Sequence, residues 1–519
     1  MHDRPIALVN ICNPEDITVP PLSLLYLGHE LKKEGYAVKI FHFKNIEIEE
    51  QVEKVIRLNP LYVGVSVFTG NKTKDSATFS KKIKQRSSVA VAWGGIHPTL
   101  LPHQCINEWY IDFVMHGEGE RTIIEFTKEF DKAGKKDYSK ILGLGYKDER
   151  NRGIVNPPRP MIENLDELKI DWELMDIKKF FEQQWGSRRI LGFISSRGCP
   201  FNCGFCYNQA FNNRRWRAHS ADKVVQEVTY LKDNYSIDGI KFYDDLMFSN
   251  PKRAVDILER IKLPWYGEVR IGMVTPHLVD KFIKTEAKEI LFGLESGSDR
   301  ILKLMNKQQN VKQIYDGVKL LAKATELRVV GSFIVGCPTE TKEETFETVD
   351  MILNLQKIHP SMRYSVGFYL PYPGSEMYNM AVQLGFKPPE KTEDWDQLDR
   401  WANKLTLSWL TWTQDSDYFM RIRDYTNLLP LKDVHIPILK NLPEKRLKEK
   451  DFYHDAELKT LKYLQQKFAM QGTAFRKFGW AILPYIRKNY KNPEIQDQPS
   501  PSSMQQIAPV ASTASMPPE

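Results

Sequence analysis

RILGFISS (189–196) runs straight into RGCPFNCGFCYNQ (197–209), a strand-like segment followed by three cysteines spaced CxxxCxxC. The chain has six cysteines in 519 residues, so half of them fall within eight positions. Thiols on a tight loop directly after a strand can turn their sulfurs toward one point, and soft thiolates favour iron and sulfur or zinc. One reading is a zinc loop with a distant fourth ligand, for which Cys12 or Cys337 could serve, and another is incidental buried thiols. A third is a four-iron cubane held by Cys199, Cys203 and Cys206, whose last iron keeps an open coordination position. An open position marks a catalytic centre, by the logic that leaves a site open on catalytic zinc.

The loop closes the first strand of an αβ series. DGIKFYDD (238–245), EVRIGMV (268–274), EILFGLES (289–296), RVVGSFIVG (328–336) and MRYSVGFYL (362–370) read as further strands, each separated by enough chain for a helix. SADKVVQEVTYLKDNY, with its serine cap, is one such helix. Six units suit an incomplete barrel, and periodicity alone also allows a doubly wound sheet. A second series precedes it: IALVNI (6–11), AVKIFHF (37–43), VGVSVF (63–68), VAVAWGG (89–95) and DFVMHG (112–117), with amphipathic helices between. The expected fold class is α/β. A Rossmann-like parallel-sheet domain spans 1–130, a connector 131–188, a partial (β/α)6 barrel 189–375, a mainly helical domain 376–492 and a disordered tail 493–519. Trp395, Trp401, Trp409 and Trp412 read as core of the helical domain.

Composition narrows the class. A net charge of +7 is spread along the chain and gives no strong nucleic-acid signal. Neither a signal sequence nor an apolar run able to span a membrane is visible, which, with scattered reduced cysteines, points to the cytoplasm.

The cysteine loop, with Phe205 before its last cysteine, resembles that of the radical S-adenosylmethionine enzymes. The resemblance implies a [4Fe-4S] cluster on Cys199, Cys203 and Cys206, whose free iron chelates S-adenosylmethionine. An electron from the cluster then yields methionine and a 5'-deoxyadenosyl radical. In the same register, Asp244 and Asp245 of YDD would meet the methionyl amino group, a salt bridge or helix cap being the alternative. Glu295, Ser296 and Ser298 of GLESGSD would meet the ribose and methionine, and Gly336 of GSFIVGCP would flank adenine, with Cys337 as a wall residue. Tyr369 and Tyr372 could face substrate or pack in the core.

The front segments VGVSVFTGN, WGGIHPT and VMHGEGE resemble the cobalamin-binding domain that precedes the radical barrel in cobalamin-dependent methyltransferases and the anaerobic porphyrin cyclase. Gly94 and Gly95 would admit a large flat ring, Thr69, Asn71 and Thr99 would bond its amide arms or nucleotide tail, and Gly117, Glu118 and Gly119 would form a turn against the tail. The DxHxxG pattern that places a histidine on cobalt is missing, so His97 falls to the tail region and Phe68, Thr69 and Gly70 to the lower face of the corrin. These resemblances imply a C-methyltransferase using S-adenosylmethionine, cobalamin and the cluster, or a cyclase using the same cofactors. A reductant such as flavodoxin or ferredoxin is the implied partner. The substrate could be a peptide or protein side chain, a lipid or a tetrapyrrole.

Overall fold

The computed structural model describes residues 4–70, 72–398, 407–413, 415–429 and 441–469. Asn71, Trp401 and the 493–519 segment lie outside the described residues. The chain divides into two compact units, one running to Phe419 and the other beginning at Met420.

In the first unit, a seven-stranded sheet contains β1 (Ile6–Cys12), β2 (Val38–Lys44), β3 (Tyr62–Ser66), β4 (Ala90–Gly94), β5 (Phe113–Met115), β6 (Leu144–Lys147) and β7 (Gly153–Val155). Its order is β2-β1-β3-β4-β5-β6-β7, with β1 to β5 parallel and the β6–β7 hairpin antiparallel at one edge. Parallel strands covered on both faces need apolar side chains on both, and Ala7, Val9, Val63, Val65, Val91 and Trp93 are all buried. Strand order reverses between β1 and β3, so a crevice opens beyond their carboxyl ends. The segment expected as a connector supplies β6 and β7. These strands are too short and too rich in glycine and charge for an alternating pattern to reveal them.

The second sheet begins with β8 (Glu182–Gln184), antiparallel to β9 (Ser187–Phe193). A small ribbon follows, β10 (Ser196–Arg197) paired with β11 (Arg217–Ala218), and then β12 (Gly239–Phe242), β13 (Trp265–Val269), β14 (Ala287–Glu295), β15 (Arg328–Val335) and β16 (Arg363–Phe368). The order β16-β15-β14-β13-β12-β9-β8 puts six successive parallel strands side by side with helices between them, a partial barrel. Caps start the crossover helices where the sequence provides them. Ser220 accepts from the Lys223 amide at 3.1 Å, and Thr341 forms a capping box with Glu344.

One strand departs from expectation. EVRIGMV reads as a strand over 268–274, but β13 ends at Val269 and Ile271–Met273 is a 3-10 turn. The shift leaves Arg270 at the mouth of the barrel. The first unit also extends beyond the barrel to Phe419, where a separate helical domain was expected from 376. The Thr392–Gln397 turn packs on the front-sheet helix Thr73–Arg86, Glu393 pairs with Lys81, and the Trp395 indole donates to Gln104 Oε1 at 2.8 Å. In the second unit the described residues are mainly helical, with Leu442–Glu449 and Asp455–Ala469 joined by an Arg446–Glu457 pair at 2.6 Å. Its Arg421 pairs with Asp455 and Arg423 with Asp424. No described helix is long and apolar enough to cross a membrane.

Candidate cofactor site

A cavity of about 410 Å³ lies beyond the carboxyl ends of β1, β3, β4 and β5, and Arg197 and Tyr207, which flank the three cysteines, form part of its wall. Asn10, Ser66, Lys72, Gly94, Gly95, Gly117, Glu118 and Gly119 come from the front sheet, and Arg197, Tyr207 and Asp245 from the barrel. Gly95 has φ +101°, and a Cβ there would lie 2.9 Å from the Val67 carbonyl, so the turn requires glycine. At Gly117 a Cβ would meet nothing within 4 Å. The glycines therefore leave a bare, largely apolar shelf edged by a few polar groups, which suits a broad flat ring with amide arms. Phe68 is 41% exposed and projects onto this cavity from just beyond β3.

Four charges, Glu120 and Arg217 buried and Glu118 and Arg197 half-buried, close one end. Arg197 donates to Glu118 at 2.8 Å and to Glu120 at 2.6 Å, and Arg217 donates to the other oxygen of Glu118 at 2.8 Å and to the Ile162 carbonyl at 2.7 Å. Burial alone would raise the Glu118 carboxyl, but the two guanidiniums more than reverse this and hold it below its usual range. Tyr26 lies beneath the Arg197 guanidinium, 5.0 Å from ring centroid to carbon. Glu118 thus spends its carboxylate on arginines, and its part in the cavity is to fix the Gly117–Gly119 turn.

The aspartate pair holds the loop. Asp244 is buried and accepts from the Ser195 amide at 2.7 Å, the Ser195 hydroxyl at 2.7 Å and the Ser196 hydroxyl. In this structure those three bonds tie Asp244 to the end of β9 and the start of β10. Asp245 accepts from the Gly198 amide at 2.9 Å and the Tyr207 hydroxyl at 3.3 Å, pinning the loop before Cys199 and after Cys206 while still facing the cavity. Gly198 has φ +85°, and any side chain would run into the Arg215 carbonyl.

Of the three loop thiols, Cys203 is buried and Cys199 and Cys206 are half-buried. Burial is the first cause raising the Cys199 and Cys206 thiols, Cys206 to about 12, and proximity to Cys203 raises both further. Among the described residues, no three His, Cys, Asp or Glu side chains come together in a group that could hold a single metal ion. Cys12 is held in the front sheet by the Phe43 carbonyl at 3.2 Å, and buried Cys337 lies beside Glu340. Neither is shown as a fourth ligand. Arg270 donates to Cys203 Sγ at 3.5 Å and stacks on Phe201. Glu295 pairs with Lys307 at 2.6 Å, and Lys307 in turn sits over Phe205 of the cysteine loop. Glu295 also has φ 69° at a register shift between β14 and β15, a strained non-glycine conformation that turns its carboxylate toward the loop.

Other expected residues serve the fold. The Ser296 hydroxyl meets Thr348 at 3.3 Å and the Ser298 hydroxyl donates to Glu344 at 3.2 Å, so both anchor helix Lys342–Ile358. The Gly336 carbonyl accepts from Trp412 at 3.2 Å. His97 is fully buried, meets Thr69 at 3.3 Å and packs on Trp395, so it and Thr69 stand behind the cavity wall. Thr99 ties the two glycine turns together, donating to the Gly95 carbonyl at 2.7 Å and accepting from the Gly117 amide at 2.9 Å. Sequence reasoning missed Tyr207, Arg217, Arg270 and Lys307. For Tyr207 the available signal was its place directly after Cys206.

With this geometry in view, comparison with known proteins defines the class. The Radical SAM superfamily profile matches residues 193–352 and the B12 binding domain profile matches residues 16–127. The chain is 33% identical over 422 residues to a methyltransferase of Pyrococcus horikoshii named as uncharacterized, covering 79% of this chain and 85% of that protein. It is 27% identical over 380 residues to the anaerobic magnesium-protoporphyrin IX monomethyl ester cyclase of Rubrivivax gelatinosus, covering 71% and 67% of the two chains. The fold matches the cobalamin-dependent S-adenosylmethionine radical enzyme OxsB, solved with aqua-cobalamin and S-adenosylmethionine, at TM-score 0.61 and 18% identity over 93% of this chain and 75% of that one. The radical S-adenosylmethionine methyltransferase TsrM from Kitasatospora setae matches at TM-score 0.58 and 17% identity over 73% and 76%. The chain belongs to the cobalamin-dependent radical S-adenosylmethionine enzyme family.

Two outcomes follow from the buried charges. Arg217→Met should cost about 1–3 kcal/mol of stability because Glu118 loses one of its two guanidinium partners. In a double-mutant cycle with Glu118→Gln, the double variant should lose less than the sum of the singles, whereas simple additivity would contradict the network. For His97, burial holds the imidazole at about 3. The unfolded chain takes up that proton near 6.5, so its contribution to stability is complete above about pH 6.5 and is lost as pH falls toward about 3, by up to ~1.4 kcal/mol per pH unit. Urea unfolding between about pH 7 and 5 should therefore fall less steeply for His97→Asn than for the parent; equal slopes would contradict the buried neutral state.

Proposed function

We propose that the protein is a C-methyltransferase that methylates an unactivated carbon. The carrying observation is the shared cavity: one wall is the glycine shelf of the cobalamin-type sheet and another is Tyr207 and Asp245, which brace the cysteine loop. Cys199, Cys203 and Cys206 would hold the [4Fe-4S] cluster, and the glycine shelf the cobalamin. When bound, these groups with S-adenosylmethionine supply the 5'-deoxyadenosyl radical that abstracts hydrogen and the methyl group that replaces it. The chain's own residues supply placement and exclusion of water. Asp245 and Gly198 fix the loop, Glu295 and Lys307 stand beside Phe205, and Phe68 faces the ring from the end of β3. The name of the Pyrococcus relative supports methyl transfer. A low-potential donor such as flavodoxin or ferredoxin would supply electrons, and the substrate is a peptide or protein side chain, a lipid or a tetrapyrrole.

Anaerobic reconstitution with candidate substrates, followed by mass spectrometry, tests this reading. Matched S-adenosylhomocysteine, 5'-deoxyadenosine and a product heavier by one methyl group are expected. A modified product with 5'-deoxyadenosine but no added methyl would instead favour a cyclase or oxidative rearrangement. Cys203→Ala should abolish 5'-deoxyadenosine formation while cobalamin binding persists.

A further inference from the structure

Arg270 directly follows β13 at the barrel mouth and is 9% exposed. Its contacts are the Cys203 sulfur at 3.5 Å, the Phe201 ring at 3.7 Å and the Lys307 carbonyl. Among the described residues no carboxylate pairs with it. The nearby carboxylate of Glu295 is already matched by Lys307 at 2.6 Å. A buried guanidinium with no counter-charge is costly, and protein interiors seldom retain one. The fold nevertheless fixes this one three ways, by stacking, by a carbonyl and by a sulfur.

We propose that Arg270 is the counter-charge of the iron–sulfur cluster and, through Cys203, a positioning residue that sets its reduction potential. The inference rests on the cluster assigned above. A cubane carrying three thiolates is an anion, and reduction adds one electron and hence one further negative charge without making or breaking a bond. A fixed cation against one thiolate stabilises the reduced form more than the oxidised form and so raises the potential. Arg270 also aims Cys203 by stacking on Phe201, the residue between the first two cysteines of the loop. Lysine would keep the charge but lose the planar stacking and the second donor. Charge and shape are therefore separable at this position.

The full chain, reconstituted anaerobically with iron and sulfide, is titrated with dithionite under EPR, with iron and sulfide content and thermal melts measured in parallel. Arg270→Gln should lower the reduced-to-oxidised ratio at the parent's midpoint by about tenfold, about 59 mV for one electron. Arg270→Lys should stay closer to the parent than Arg270→Gln does. An unchanged midpoint in Arg270→Gln, with full iron and sulfide, would overturn the proposal. If Arg270→Gln takes up no cluster, Arg270→Lys decides: a loaded lysine variant near the parent's midpoint supports the charge role. Loss of the cluster from both variants, with melts unchanged, overturns it. A parent protein that binds no cluster would sink the underlying cluster assignment, an outcome distinct from a loaded parent with an indifferent Arg270.

Discussion

Four charges shielded from bulk water, Glu118 and Glu120 against Arg197 and Arg217, connect the two halves of the site. Glu118 lies between the glycines of the front-sheet turn, and Arg197 stands two residues before the first cysteine of the loop. One set of ion pairs therefore positions both the shelf and the cysteine loop. Removing four charges from water costs heavily, and their mutual attraction repays it only if every group is paired and hydrogen-bonded. Here each guanidinium and carboxylate has an ionic partner and Arg217 also reaches the Ile162 carbonyl, while its Nε is left without a hydrogen bond. Such a network contributes less to net stability than to a single geometry of the glycine turn and the cysteine loop.

Tyr207 adds an aromatic counterpart. Its ring meets Phe68 from the front sheet at 6.1 Å, Tyr372 from the loop after the sixth barrel strand at 6.1 Å and Phe211 at 6.2 Å. Its hydroxyl donates to Asp245, and burial with that neighbouring carboxylate pushes the phenol well above its ordinary range. The residue directly after the last cysteine is thereby wedged between both sheets' loops in neutral form. Motion of the cysteine loop would have to break this packing and the Asp245 bonds together.

Local patterns in the sequence located the strands, the helix caps, the cysteine loop and the glycine turns, because spacing and turn chemistry act over a few residues. What it could not separate was which polar side chains are left for ligands. Asp244 and Asp245 read alike, yet one is consumed by Ser195 and Ser196 while the other braces the loop at the cavity. Ser296, Ser298 and His97, expected beside cofactors, have contacts within the fold that no local pattern could reveal, with partners 50 or so residues away or, for His97, by burial against Trp395. Arg217, Arg270 and Lys307 carry no motif of their own. Their importance arises from strand order, which brings the ends of β11, β13 and β14 to the loop.

The cluster proposed on Cys199, Cys203 and Cys206 and the cobalamin proposed on the glycine shelf would lie close together across the cavity walled by Arg197, Tyr207 and Asp245. The most direct test of this closeness is EPR of the anaerobic full-length protein loaded with both, with the cluster reduced and the cobalt in its paramagnetic Co(II) state. The account predicts a spin–spin interaction, seen as broadening or splitting of the Co(II) signal that appears only when the cluster is reduced. Two spectra that simply add, each identical to that of the singly loaded protein, would contradict it.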